Sequence, residues 1–141
     1  MKIIDTANGD FLLLKDVVIN QATTYTQLRE QFPDNKYWEV GTGYFWIYFY
    51  DIIVEQQKFY VDICFKGEQL NRIIFEFKGI YEKDYSWEDF DEKKELKKKK
   101  SYEKWIAKTL GDTEFPWGRV HAFYDPKSCS TGIILNYKEQ K

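Results

Sequence analysis

The chain has 141 residues, with 21 basic and 23 acidic side chains and a formal net charge of −2. That length predicts one domain spanning 1–141, long enough to bury roughly two-thirds of its unfolded surface without a metal or disulfide. A hydrophobic content of 43%, with 19% aromatic, excludes a disordered chain. The near balance of charge gives no global reason to expect a nucleic acid or an anionic membrane as partner.

Ile3-Ile4 and Phe11 to Leu14 flank Ala7-Asn8-Gly9-Asp10. Asn-Gly tolerates positive φ at both residues, so a first hairpin is expected, with Val17-Val18-Ile19 continuing it or opening a new strand. The amino terminus lacks the roughly 7–15-residue apolar stretch of a signal peptide. No run reaches the roughly 18 apolar residues of a membrane span, so the cytoplasm is the expected location. Thr24-Tyr25-Thr26-Gln27 has the form of a capping box and predicts a short helix from Tyr25 to about Gln31, ending before Pro33.

The stretch from Tyr37 to Lys78 organises the rest. Trp38-Glu39-Val40, Tyr44 to Val54, Phe59 to Phe65 and Arg72 to Lys78 read as consecutive strands. Phe59, Val61, Ile63 and Phe65 share one face of their strand, as do Ile73, Phe75 and Phe77. Lys66-Gly67-Glu68-Gln69 supplies a turn glycine between them. In Tyr44 to Val54 both parities are apolar or aromatic, which suggests a central strand covered on both faces.

The composition then breaks, with seven acids from Glu82 to Glu95 and six lysines from Lys93 to Lys100. Ser86-Trp87-Glu88-Asp89 resembles a second capping box and Gly111 a C-cap, so a long helix is expected from Trp87 to Leu110, continuous or interrupted near the lysine run. Tyr102, Trp105, Ile106, Thr109 and Leu110 form its apolar stripe. Asp89–Lys93 and Glu95–Lys99 are spaced as surface ion pairs, and Lys98 reads as a surface position. Val120, Ala122 and Tyr124, a turn at Asp125-Pro126-Lys127-Ser128, and Ile133, Leu135 and Tyr137 give a last hairpin. The predicted fold is therefore α+β: a largely antiparallel sheet, one long helix packed on a face and one short helix.

Chemistry is sparse. The lone histidine, His121, lies on a strand near Asp125, Ser128 and Cys129, but no nucleophile motif surrounds them. Cys64, in a strand, and Cys129, in a turn, are expected as reduced thiols. One histidine and two scattered cysteines make no zinc site, and the acids Glu88, Asp89, Asp91 and Glu92 fan around a helix axis. There is no GxGxxG, GxxxxGK[ST] or HExxH, so no metal, cofactor or catalytic residue is assigned. Lys97 to Lys100 point in four directions on a helix and follow seven acids, which argues against nucleic acid. The remaining signal is aromatic: 5 Trp, 11 Tyr and 11 Phe. That many tyrosine hydroxyls do not all find buried partners, so some of Trp38, Tyr44, Trp46, Tyr48, Tyr60, Tyr81, Tyr85 and Trp87 are expected at a surface.

The carboxy-terminal half carries Trp105-Ile106, Leu110-Gly111, Phe115-Pro116-Trp117-Gly118-Arg119-Val120 and Tyr124-Asp125-Pro126-Lys127. Over roughly Phe59 to Tyr137 this resembles small uncharacterised bacterial proteins, some of them associated with the immunity proteins of polymorphic and contact-dependent toxin systems. The resemblance implies a small cytosolic protein that binds and blocks a cognate toxin domain, and it carries over no site residues. A partner with a basic cleft would be met by the acidic, aromatic segment containing Glu82, Asp84, Tyr85, Trp87 and Glu88. The rivals are a small enzyme or ligand-binding protein with a pocket near His121 and Asp125, and an adaptor domain without a dedicated ligand.

Overall fold

The computed structural model describes residues 2–79 and 91–139. Its elements run α1 (Tyr25–Gln31), β1 (Tyr37–Val40), β2 (Tyr44–Val54), β3 (Gln57–Lys66), β4 (Gln69–Gly79), α2 (Glu92–Leu110), β5 (Glu114–Phe115), β6 (Gly118–Asp125) and β7 (Ser130–Tyr137). The described strands form one seven-stranded sheet in the order β1-β2-β3-β4-β7-β6-β5, with every described pair antiparallel. With the two described helices this is the α+β arrangement read from the sequence.

One face of the sheet carries the core. Ile47, Phe59, Val61, Ile63, Phe65, Ile73, Phe75, Val120, Ile133 and Leu135 are fully buried there. They are covered by the N-terminal segment, α1 and α2, which belong to the same apolar cluster through Phe11, Ile19, Leu28, Tyr102 and Ile106. The capping box at Thr24 forms as expected, and α1 seats Tyr25 against Phe45 and Phe65.

The expected first hairpin is replaced by isolated bridges, Ile4 to Phe11 and Phe11 to Ile19. Asp5 and Asn8 side chains take the Ala7 and Asp10 N–H groups, which closes the segment into a compact turn instead of a ladder. Gly9, at φ +81°, lies against the Trp117 ring.

Helix α2 begins later than the Trp87 expected. Asp91 is extended (φ −144°, ψ 110°) and its side chain accepts from the Lys93 N–H, which makes it the N-cap. Residues 87–90 of the expected helix lie outside the described residues. Gly111 closes the helix in the left-handed conformation, as anticipated. Tyr102 and Ile106 are buried, Trp105 and Leu110 half-buried and Thr109 exposed. Two surface expectations fail. Glu95 is buried and its side chain accepts from Thr131 Oγ1 at 2.7 Å. Lys98 reaches back to the sheet, pairing with Glu76 at 3.1 Å, so it braces the helix against β4.

Candidate functional site

A further corrected expectation concerns β2. It lies next to the edge strand, not at the centre, and no described element covers its second face. The mixed parity has a specific cause, a register shift between Phe49 and Ile52 against β3. One extra residue flips the alternation, so Ile47 and Phe49 before it and Ile52 after it all join the core side. Tyr44, Trp46, Tyr48 and Tyr50 are left on the opposite face, and Ile53 joins them beyond the bulge.

There the rings form a ladder. Trp46 and Tyr48 are parallel within 4°, with centroids 6.4 Å apart. Tyr48 and Tyr50 follow at 5.8 Å, and Tyr50 meets Tyr60 of β3 at 6.3 Å. Trp38 stands opposite Trp46 in the β1–β2 register and thus on the same face. Exposure is greatest at its margin: Trp38 is 58%, Tyr50 41% and Ile53 62% exposed. The strand edge is braced where the β1 ladder ends. Tyr48 N–H donates to the Lys36 carbonyl at 3.0 Å, and the Asn35 side-chain amide donates to the Tyr48 carbonyl at 2.9 Å. This places the Lys36 ammonium 5.7 Å from the Tyr48 ring centroid.

Asp62 sits among these rings, directly opposite Tyr48 in the β2–β3 register. Burial pushes its carboxyl up to about 6, Glu76 adds to the effect and Lys36 only partly opposes it. Burial, with Asp62 nearby, likewise pushes the Tyr50 hydroxyl up to about 12. Beneath Trp46, Cys64 is buried and free, and burial raises its thiol to about 11, which leaves it an unreactive protonated thiol at neutral pH. Beside the ladder, where β4 and β7 part, a groove of about 870 Å³ is lined by Tyr60, Glu76, Lys98, Tyr102, Trp105 and Ser130 among others.

The residues near the carboxy-terminal hairpin are not assembled into a catalytic group. His121 and Asp125 are four strand residues apart, about 13 Å at strand rise. The Asp125 carboxylate is consumed by its own turn, accepting from Lys127 N–H and Ser128 Oγ, and those bonds hold its pKa low. Cys129, at φ +54°, directs its thiol at the Pro126 carbonyl, 3.4 Å away. His121 borders a groove of about 330 Å³ with Lys99, Glu103 and Asp112. Its pKa is lowered by burial and by Arg119, which favours the neutral imidazole, and Nδ1 has no hydrogen-bond partner among the described residues. Among the described residues no three His, Cys, Asp or Glu side chains gather as a metal site. No described helix is long and apolar enough to cross a membrane.

Of the aromatics expected at a surface, Trp38, Tyr44, Trp46, Tyr48 and Tyr60 share this face. The partner-binding candidates Glu82, Asp84, Tyr85, Trp87 and Glu88, together with Tyr81, lie outside the described residues. Sequence reasoning left out Tyr50 and Asp62. Tyr50 could have been found from its parity with Tyr48, whereas Asp62 looked like any polar position of an alternating strand.

No protein-family model matches the chain, and no curated protein matches it. Among solved structures, a chain of Rhs1-CT in complex with cognate immunity protein RhsI1 is similar over 98% of this chain and 88% of its own length, with a TM-score of 0.61 and 18% identity. At that identity the likeness is one of fold, and it agrees with the resemblance to immunity-associated proteins carried by the carboxy-terminal motifs.

Proposed function

We propose that this chain is a cytoplasmic binding protein of the immunity type, which blocks a cognate toxin domain by occupying its surface. The observation that carries the reading is the exposed aromatic ladder. A soluble sheet face bearing Trp38, Trp46, Tyr48, Tyr50 and Ile53 holds apolar area in water at a cost, and tyrosine and tryptophan are the residues that dominate protein–protein hot spots. The fold shared with a chain from a complex that contains an immunity protein supports the same reading. The acidic segment with Glu82, Asp84, Tyr85, Trp87 and Glu88 is proposed as a second contact, on the sequence argument alone.

Co-expression tests it. The chain should protect cells from the toxin domain encoded beside its gene and should co-purify with that domain. Full toxicity in the presence of the folded chain would refute the proposal.

A further inference from the structure

We propose that the cluster of Tyr48, Tyr50 and Asp62 on this sheet face is a subsite for a guanidinium group, an arginine side chain presented by the protein partner. The inference rests on the binding function proposed above and adds the chemistry that the partner must bring.

Asp62 is a carboxylate among rings. Tyr48 is its direct cross-strand neighbour, so their Cβ atoms are about 5 Å apart, and Tyr50 lies diagonally across. Ile74 of β4 is opposite on the other side, with Glu76 two residues further along the strand. Among the described residues the groups acting on the Asp62 charge are Glu76, which repels it, and Lys36, which partly offsets it. Lys36 itself stands over the Tyr48 ring. Burial nevertheless dominates, and the carboxyl titrates well above its ordinary value. Asp62 is thus an acid that its own fold leaves under-compensated, on the face where the aromatic side chains are most exposed.

A guanidinium meets both demands at once. It is planar and stacks on a tyrosine face while its forked N–H groups donate in parallel to a carboxylate. The chain already uses the stacking half of this geometry elsewhere, with Arg29 Cζ 3.6 Å above the Tyr37 ring centroid. An ammonium offers no such fork, and Lys36 shows the looser arrangement it adopts, at 5.7 Å. Phosphate ligands are disfavoured because Asp62 and Glu76 would repel them. A free guanidinium compound would bind weakly but measurably on an open sheet face, and an arginine anchored in a protein surface more tightly, supported by Trp38, Trp46 and Ile53 around it.

The test is an NMR titration of the intact chain with three probes: N-acetyl-arginine amide, its neutral isostere N-acetyl-citrulline amide, and a single-stranded oligothymidylate. The arginine amide should shift the Tyr48, Tyr50 and Asp62 amide signals with an affinity about five-fold above that of the citrulline amide. Asp62→Asn should erase that difference while the amide signals of Ile133 and Leu135 stay in place. Equal responses to the two amides, no response, or a ladder response to the oligothymidylate would overturn the subsite. None of these outcomes bears on toxin neutralisation, which the co-expression assay reads separately.

Discussion

The hydroxyl of Tyr102 accepts from the backbone N–H of Phe77 at 3.1 Å and donates to the carbonyl of the same residue at 3.2 Å. The described β4–β7 pairing ends at Phe75 opposite Ile133, so Phe77 would otherwise show a bare donor and acceptor beside the core. One helical tyrosine stands in for the missing strand. Tyr102→Phe should therefore cost about 2 kcal/mol, the desolvation of two unsatisfied backbone groups, while Lys104→Ala should stay within about 0.5 kcal/mol. Urea melts of the two variants decide this, and equal losses would refute it.

Glu95 and Thr131 make a second helix-to-sheet tie. Thr131 Oγ1 lies 2.7 Å from Glu95 Oε2 and 3.1 Å from the Glu95 carbonyl, with both residues buried. Thr131→Val leaves the carboxyl without this donor and should cost about 2 kcal/mol. Adding Glu95→Leu should recover most of that loss, because two apolar groups no longer require each other's hydrogen bonds. A double-mutant cycle with a coupling near zero would show that the pair is incidental.

Gly9 tests the packing of the N-terminal turn. A Cβ there would fall 2.5 Å from Trp117 Cδ2, on a residue already at φ +81°. Gly9→Ala should cost about 2–4 kcal/mol through overpacking and backbone strain together. Gly67 also has positive φ but nothing within 4 Å of its Cβ direction, so Gly67→Ala should cost only about 1 kcal/mol. Thermal melts showing similar losses for both would contradict the Trp117 contact.

The ladder should matter for binding and little for folding. Trp38→Ala and Tyr50→Ala each remove an exposed ring, so each should weaken the complex about 30-fold with little change in melting temperature. Surface plasmon resonance with the proposed toxin partner measures the first, and circular dichroism the second. Full affinity in both variants would move the interface elsewhere.

Asp62 gives a pH signature. Its folded-state pKa, about 6, is raised above the ordinary 3.8, so ionisation disfavours the folded state. The penalty is absent below about pH 4, grows as pH rises to about 6 and is complete above that. With allowance for partial exposure it amounts to about 2 kcal/mol. Asp62→Asn should therefore stabilise the protein by that amount near pH 7.5, and the two proteins should converge near pH 3.5. A gain of equal size at both pH values would show that the benefit is not electrostatic.

Much of the architecture was written locally in the sequence. The capping box at Thr24, the alternation of β3 and β4, the Gly111 cap and the stripe through Tyr102 and Ile106 depend on spacings of two to four residues, which pattern alone determines. The tertiary structure decided which face stayed open. A one-residue bulge after Phe49 reversed the parity of β2, and no local spacing announces such a shift because it exists only against the partner strand β3. The same holds for the candidate site. Tyr48 and Asp62 are ordinary strand residues 14 positions apart until the hairpin register sets them side by side. Glu95 looked like half of a surface ion pair until Thr131, 36 residues away, took its carboxyl inside. Hydrophobic periodicity fixes what is buried against the chain's own elements, whereas the position of a charge relative to distant rings depends on strand pairing that only the assembled sheet supplies.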